Sequence, residues 1–93
     1  MDHRALWDQH RAAGWPSFSS PDEGELMTLD TVISGCATYY FEEQNLDAPR
    51  RAMLGDCLAD LDRLLPDLPA EAGEYFHRLR TLAGLILETS RHA

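Results

Sequence analysis

Histidine and cysteine side chains are the groups in this chain best suited to bind metals or act as nucleophiles. His3 and His10 are seven residues apart on one helical face, but no third ligand is indicated near them. Cys36 and Cys57 fall on apolar helix faces, where free thiols behave as small buried hydrophobic groups. We therefore predict a surface histidine pair and two buried thiols, with no metal and no cofactor.

The common catalytic motifs are missing from the sequence. It contains no glycine-rich phosphate loop, no HExxH, no CxxC and no nucleophile elbow. Acidic residues such as Asp56 and Asp60 lie at helical spacing, but di-iron bundles also need Glu-x-x-His motifs, which this sequence lacks. We expect a protein that is not an enzyme.

One segment carries a partial motif. Phe76-His77-Arg78-Leu79-Arg80-Thr81 resembles the His-x-Leu-Lys-Gly core of histidine phosphotransfer domains, which are four-helix bundles of similar size. The resemblance implies that His77 is exposed on a helix and accepts a phosphoryl group from a response regulator. Thr81 stands where that family has Gly or Ser, and only 16 residues follow His77. We favour the alternative, a solvated histidine beside two arginines.

Apolar residues recur with the period of an α-helix in four segments separated by turn residues. We expect a first helix from about Asp2 to Ala13, a second from the capping box Ser20-Pro21-Asp22-Glu23 to about Gln44, a third capped by Asp47 and ended by Pro66, and a fourth restarted by Asp67-Leu68-Pro69. Short connections favour antiparallel neighbours. The predicted fold is all-α, a compact antiparallel bundle of about four helices in one domain spanning residues 1–93.

The predicted core follows the apolar stripe of each helix. Its members are Leu6 and Trp7 in the first helix; Leu26, Leu29, Ile33, Cys36 and Tyr40 in the second; Leu54, Cys57, Leu58, Leu61, Leu64 and Leu65 in the third; and Ala72, Tyr75, Phe76, Leu79, Leu82, Ala83 and Ile86 in the fourth. Trp15 and Phe18 lie in a loop, and we favour them as a plug over the open end of the bundle.

Negative charge is concentrated in one part of the chain. The 93 residues carry a formal net charge of −8, and all of the basic residues are arginine. The segment 21–47 contains seven acids and no base, whereas the later helices offer internal pairs, Asp60 with Arg63 and Glu74 with Arg78. The helix dipole favours acids at an N-terminus but not Glu42 and Glu43 at a C-terminal end. Such a surface repels phosphates, so nucleic acid is not an expected partner.

Aromatic residues accompany this acidic segment. Tyr39, Tyr40 and Phe41 span about 200° of a helix, so one apolar seam cannot bury all of them. Tyr39 lies furthest from the seam, beside Glu42 and Glu43. Aromatic anchors ringed by acids are typical of a surface that binds a basic protein, although a solvated acidic face remains the alternative.

Taken whole, the small, acidic, all-helical chain resembles the immunity proteins of bacterial toxin–immunity pairs in size, charge and architecture. The resemblance implies a cytoplasmic inhibitor of a cognate, basic toxin domain, with no membrane partner. We predict contacts with that partner at Tyr39, Glu42, Glu43 and Asp47, helped by Glu23, Glu25 and Asp30. The alternatives are a signalling domain that uses His77 and a homodimeric adaptor or chaperone.

Overall fold

The computed structural model describes residues 3–91, with side chains described through residue 90, so the predicted cap Asp2 lies outside the described part. The helices are α1 (His3–Ala12), α2 (Glu23–Glu43), α3 (Ala48–Leu64) and α4 (Ala70–Arg91), with a 3-10 turn at Leu65–Asp67. The described residues contain no strand, which confirms the all-α prediction. Among these helices, none combines the length and apolar character needed to cross a membrane.

The start of α2 differs from the predicted capping box. The Ser20 hydroxyl accepts a hydrogen bond from the Asp22 N–H at 3.1 Å, and the Ser20 carbonyl accepts one from the Glu23 N–H at 3.2 Å. These bonds close a turn around Pro21, because a serine side chain readily bonds to backbone two residues further on. The helix therefore begins at Glu23, and the prediction that Ser20 caps it was wrong.

Both ends of α3 follow the sequence signals more closely. The Asp47 carboxylate accepts a hydrogen bond from the Arg50 N–H at 3.0 Å, as expected of an N-cap. The α-helix gives way at Leu64 to the 3-10 turn that contains Pro66. Asp67 belongs to that turn, and the Pro69 carbonyl accepts the first bond of α4, from the Gly73 N–H at 2.9 Å. The fourth helix therefore starts after Pro69 rather than around it.

Neighbouring helices run antiparallel, as side-chain pairs at their two ends show. His3 bonds to Thr89 at 2.7 Å, whereas the His10 ring lies 4.6 Å from the Tyr75 ring, so α1 and α4 point in opposite directions. The same alternation holds for α1 with α2 and for α2 with α3, from the pairs His3–Tyr40, His10–Asp30, Glu25–Arg63 and Tyr39–Arg50. The chain is thus an up-and-down bundle.

The predicted apolar stripes form the core with few exceptions. Tyr40 and Leu65 are half-buried instead of buried. Every predicted position on the inner face of α4 is buried, and Leu46 in the α2–α3 connection is fully enclosed. Trp15 lies edge-on to Phe76 at 5.6 Å and Phe18 edge-on to it at 6.1 Å. The loop thus packs on the core through Phe18, while Trp15 stays 38% exposed, so the predicted plug is formed only in part.

Candidate interaction surface

The connection between α2 and α3 fixes the position of the predicted partner-binding residues. Gln44 ends α2 in the left-handed conformation (φ 64°), and its N–H donates to the Tyr40 carbonyl at 2.7 Å. Two residues later Leu46 is buried in the core, and Asp47 then caps α3. We call Tyr39, Glu42, Glu43 and Asp47 the corner surface. Both of its helix ends are capped and its connection is anchored, so the corner is a rigid support.

Arg50 joins two members of the corner surface, a contact that the sequence analysis did not predict. Its guanidinium carbon lies 3.8 Å from the centre of the Tyr39 ring, close enough for a cation–π interaction. The same guanidinium donates to the Asp47 carboxylate. Asp47 and Arg50 stand three residues apart in one helical turn, and this spacing in the sequence could have predicted their ion pair. Tyr39 is therefore half-buried, and the Asp47 charge is compensated within the chain.

Glu42 and Glu43 are different, because both side chains are exposed and neither makes an ion pair within the described residues. They occupy the last turn of α2, which contains no basic residue. The C-terminal end of a helix carries partial negative charge, so two carboxylates there destabilise the helix. Glu42 also lines a surface pocket with Arg4 and Arg11 of α1, so part of its charge is offset within the chain, while both carboxylates stay exposed to solvent.

The remaining predicted partner residues lie away from the corner. Glu23 and Glu25 occupy the first turn of α2, roughly 25 Å along the helix axis from Glu42. Glu25 forms an ion pair with Arg63 of α3. The segment 21–47 contains no base of its own, and the cation for Glu25 comes from another helix of the bundle.

Asp30 is part of an internal hydrogen-bond cluster with His10 and Tyr75. His10 Nε2 lies 3.0 Å from Asp30 Oδ1, and the Tyr75 hydroxyl donates to Asp30 Oδ2 at 2.8 Å. A carboxylate only accepts hydrogen bonds, so His10 Nε2 carries the proton in this contact. Both carboxylate oxygens are engaged inside the bundle. We therefore leave Asp30 out of the surface offered to a partner.

The position of His10 contradicts the predicted surface histidine pair. Only 4% of His10 is exposed, and its ring packs on Tyr75 while its Nδ1 has no partner among the described residues. The signal was present in the sequence, since His10 shares a helix face with the core residue Leu6. A polar side chain on that face can be buried when another helix supplies a partner, and here Asp30 does so.

Tyr75 is the residue in this cluster whose pKa is displaced. Burial in the core raises the pKa of the phenol well above its usual value, and the hydrogen bond to Asp30 raises it further. The neutral hydroxyl is the form that donates to the carboxylate. Tyr75 therefore keeps its proton at neutral pH and donates the hydrogen bond to Asp30.

Ion pairs among the later helices follow the prediction only in part. Arg63 lies 3.7 Å from Asp60, as expected. No ion pair between Glu74 and Arg78 occurs in the described residues, because the Arg78 guanidinium lies toward the Tyr75 ring at 5.8 Å. Arg80 instead binds Asp62 of α3 at 2.9 Å, and this hydrogen bond lowers the pKa of the Asp62 carboxyl.

The other residues considered for chemistry take structural or solvent positions. Cys36 and Cys57 are buried free thiols, as predicted, and burial raises the pKa of both, which disfavours the nucleophilic thiolate. His77 is exposed on α4, as predicted. Through the described part of the chain, no three His, Cys, Asp or Glu side chains are grouped closely enough to hold a metal ion.

Comparison with known proteins identified no similar protein. No family model, no curated protein and no solved structure matches this chain. The proposal for its function is therefore based on the corner surface itself.

Proposed function

We propose that this chain is a non-enzymatic binding protein, an immunity protein that neutralises a cognate basic toxin domain of bacterial origin through the corner surface. The observation that carries the proposal is the exposed pair Glu42 and Glu43 at the C-terminal end of α2, a helix end that contains no basic residue. Lysine and arginine side chains of a partner would pair with these carboxylates.

The energetic effect of these two carboxylates on the folded chain supports a role in binding a partner. Each opposes the helix dipole and repels its neighbour, so the pair disfavours the folded chain by itself. Neither side chain makes a hydrogen bond or ion pair in the described structure that would offset this cost. A basic partner reverses the balance, because the same potential then favours the complex.

Two further features suit a charge-steered interface. The formal net charge of −8 attracts a basic protein over a distance set by ionic strength and raises the association rate. Tyr39 adds an aromatic ring whose position is fixed by Arg50, so little conformational entropy is lost when a partner packs on it. The acidic, aromatic and rigid elements meet at one corner.

The proposal is tested by capturing the partner and then measuring association with purified proteins. Tagged chain is incubated with lysate of its native cells at low and at high salt, and the basic protein retained at low salt is identified and expressed. Growth protection on co-expression tests neutralisation directly. For the double variant Glu42→Lys/Glu43→Lys we expect the association rate constant to fall roughly tenfold at low salt, with a weaker salt dependence.

A matched control separates the effect of the charge at the corner from the effect of the net charge of the chain. Glu71 and Glu74 are exposed near the N-terminal end of α4, at the opposite end of the bundle from the corner, and form no ion pair in the described structure. The variant Glu71→Lys/Glu74→Lys changes the net charge by the same amount, so its association rate should fall far less. Equal losses for the two double variants would show that only net charge matters and would remove the corner from the proposal.

The two alternative functions give different results in the same assays. Phosphotransfer through His77 is favoured by its exposure on α4, and His77→Gln would abolish it while leaving capture and growth protection intact. A dimeric adaptor would elute as a concentration-dependent dimer in size-exclusion chromatography, and neither the corner variant nor His77→Gln would dissociate it. Phosphoryl transfer from a response regulator to wild type, abolished in His77→Gln, together with no growth protection by either protein, would favour the signalling function instead.

A further inference from the structure

An open groove runs between α2 and α3 next to the corner surface. It has a volume of about 470 Å³ and is lined by Thr31, Val32, Gly35, Cys36, Pro49, Arg50 and Met53. Met53 is 47% exposed although it is a large apolar side chain. A concave, mostly apolar site of this volume lies in the range of protein ligand pockets and has room for an apolar side chain.

Gly35 forms part of the lining, and nothing inside the chain requires a glycine there. A glycine within a helix destabilises it relative to alanine. Two intramolecular reasons to keep one are a positive φ and a close approach by another element. None of the described glycines has a positive φ, and a Cβ built on Gly35 would meet no atom within 4 Å. Because Gly35 has no side chain, the groove beside it stays open to a group from outside the chain.

The groove is continuous with the corner surface. Gly35, Tyr39 and Glu43 follow one another at four-residue spacing on α2, so they lie along one side of the helix, and Glu43 stands roughly 12 Å along the axis from Gly35. Arg50 belongs to both regions, since it lines the groove and also covers the Tyr39 ring. A single extended segment of a partner would reach both.

We propose that the groove receives an apolar side chain of the same basic partner, while lysine or arginine residues next to that side chain in the partner bind Glu42 and Glu43. This inference rests on the proposed function, because it assumes that the corner surface is the interface. A second copy of this chain fits the site poorly, since it would bring another net charge of −8 to an edge that already carries two exposed carboxylates. Met53 suits such an occupant, because its flexible thioether adapts to apolar side chains of different shape.

The test is a selection of displayed random peptides on the immobilised full chain. It is run on wild type, on Gly35→Met, which fills the groove, and on Glu42→Lys/Glu43→Lys. Gly73→Met in α4 is the matched control, because a Cβ on Gly73 also meets no atom within 4 Å. Circular dichroism confirms that each variant keeps its helices, as expected when a helical glycine is replaced where there is room.

We expect wild type and Gly73→Met to enrich peptides that combine an apolar anchor with neighbouring lysine or arginine. Gly35→Met should keep the basic preference and lose the anchor, and the best synthetic peptide should bind it roughly tenfold more weakly than wild type, the effect of filling a pocket that one anchor occupies. The same peptides emerging from Gly35→Met and wild type would overturn the groove inference. The same peptides emerging from Glu42→Lys/Glu43→Lys and wild type would instead overturn the proposed function. A dimer in size-exclusion chromatography that Gly35→Met dissociates would assign the groove to a second copy and overturn the inference.

Discussion

Tyr75 of α4 donates a hydrogen bond to Asp30 of α2 at 2.8 Å, and this part-buried contact ties the two helices together at the edge of the core. His10 of α1 reaches the other oxygen of the same carboxylate, so one side chain connects three helices. Buried donors that lose their acceptor destabilise a protein more than an average hydrogen bond stabilises it. Asp30 is therefore an acidic residue whose primary role is structural.

Replacing Asp30 tests that role. Asp30→Ala leaves the His10 Nε2–H and the Tyr75 hydroxyl without an acceptor in the core, and we expect the free energy of unfolding to fall by about 2–4 kcal/mol. Urea unfolding followed by circular dichroism measures the change. Asp56→Ala is the control, because Asp56 is exposed on α3 and forms no ion pair in the described structure. It should change stability by less than about 0.5 kcal/mol, and equal losses in the two variants would contradict the structural role of Asp30.

Tyr75 gives the chain an alkaline limit of stability. Its pKa is raised in the folded state, first by burial and then by Asp30, so above about pH 10 the unfolded chain loses the phenol proton while the folded chain keeps it. The free energy of unfolding should therefore decrease as the pH rises past that value. Denaturant unfolding across alkaline pH, compared between wild type and Tyr75→Phe, measures the effect.

Cys36 and Cys57 also contribute to the loss of stability at alkaline pH. Burial also raises the pKa of Cys36 and Cys57, so they contribute an alkaline loss of their own. Both thiols are present in Tyr75→Phe, and the difference between the two proteins isolates the phenol. An identical pH dependence in wild type and Tyr75→Phe would show that Tyr75 ionises equally in the folded and unfolded states.

Local signals in the sequence were sufficient to predict the helices. The apolar spacing of α4 placed its inner face correctly, and the Asp47 cap of α3 formed as expected, because both depend on residues within one or two turns. The predicted start of α2 was wrong because of an equally local interaction. Ser20 has two ways to bond nearby backbone, and the turn around Pro21 prevailed over the capping box.

Contacts between distant residues account for what the sequence did not predict. Glu25 and Arg63 are 38 positions apart, and His10 and Asp30 are 20 apart, so their pairing depends on how the helices are packed. The exposure of Glu42 and Glu43 was predictable, because no cation lies within helical reach of them in sequence. The groove at Gly35 was not, since its lining is formed jointly by α2 and α3.

Charge reversal at the corner should stabilise the isolated chain while weakening its complex. Lysine at positions 42 and 43 complements the partial negative charge at the C-terminal end of α2, so we expect Glu42→Lys/Glu43→Lys to raise the free energy of unfolding by about 0.3–1 kcal/mol at low salt. Thermal unfolding at low and high salt checks this, with the gain shrinking as salt screens the dipole. A loss of stability would mean that the glutamates serve the fold, contrary to the role that we propose for them.

Gly35→Ala measures how much stability the open groove costs the free chain. A Cβ at this position meets no atom within 4 Å, so alanine should gain the full helix-propensity difference of about 0.5–1 kcal/mol, which corresponds to a melting temperature about 3–6 °C higher. Gly84 of α4 provides the contrast, because a Cβ there would lie 2.9 Å from Arg80 Nη1. Arg80 would have to move from its contact with Asp62, so Gly84→Ala should gain less. If Gly35→Ala lowered the melting temperature, the groove would be closed in solution, and the space at Gly35 could not receive a partner.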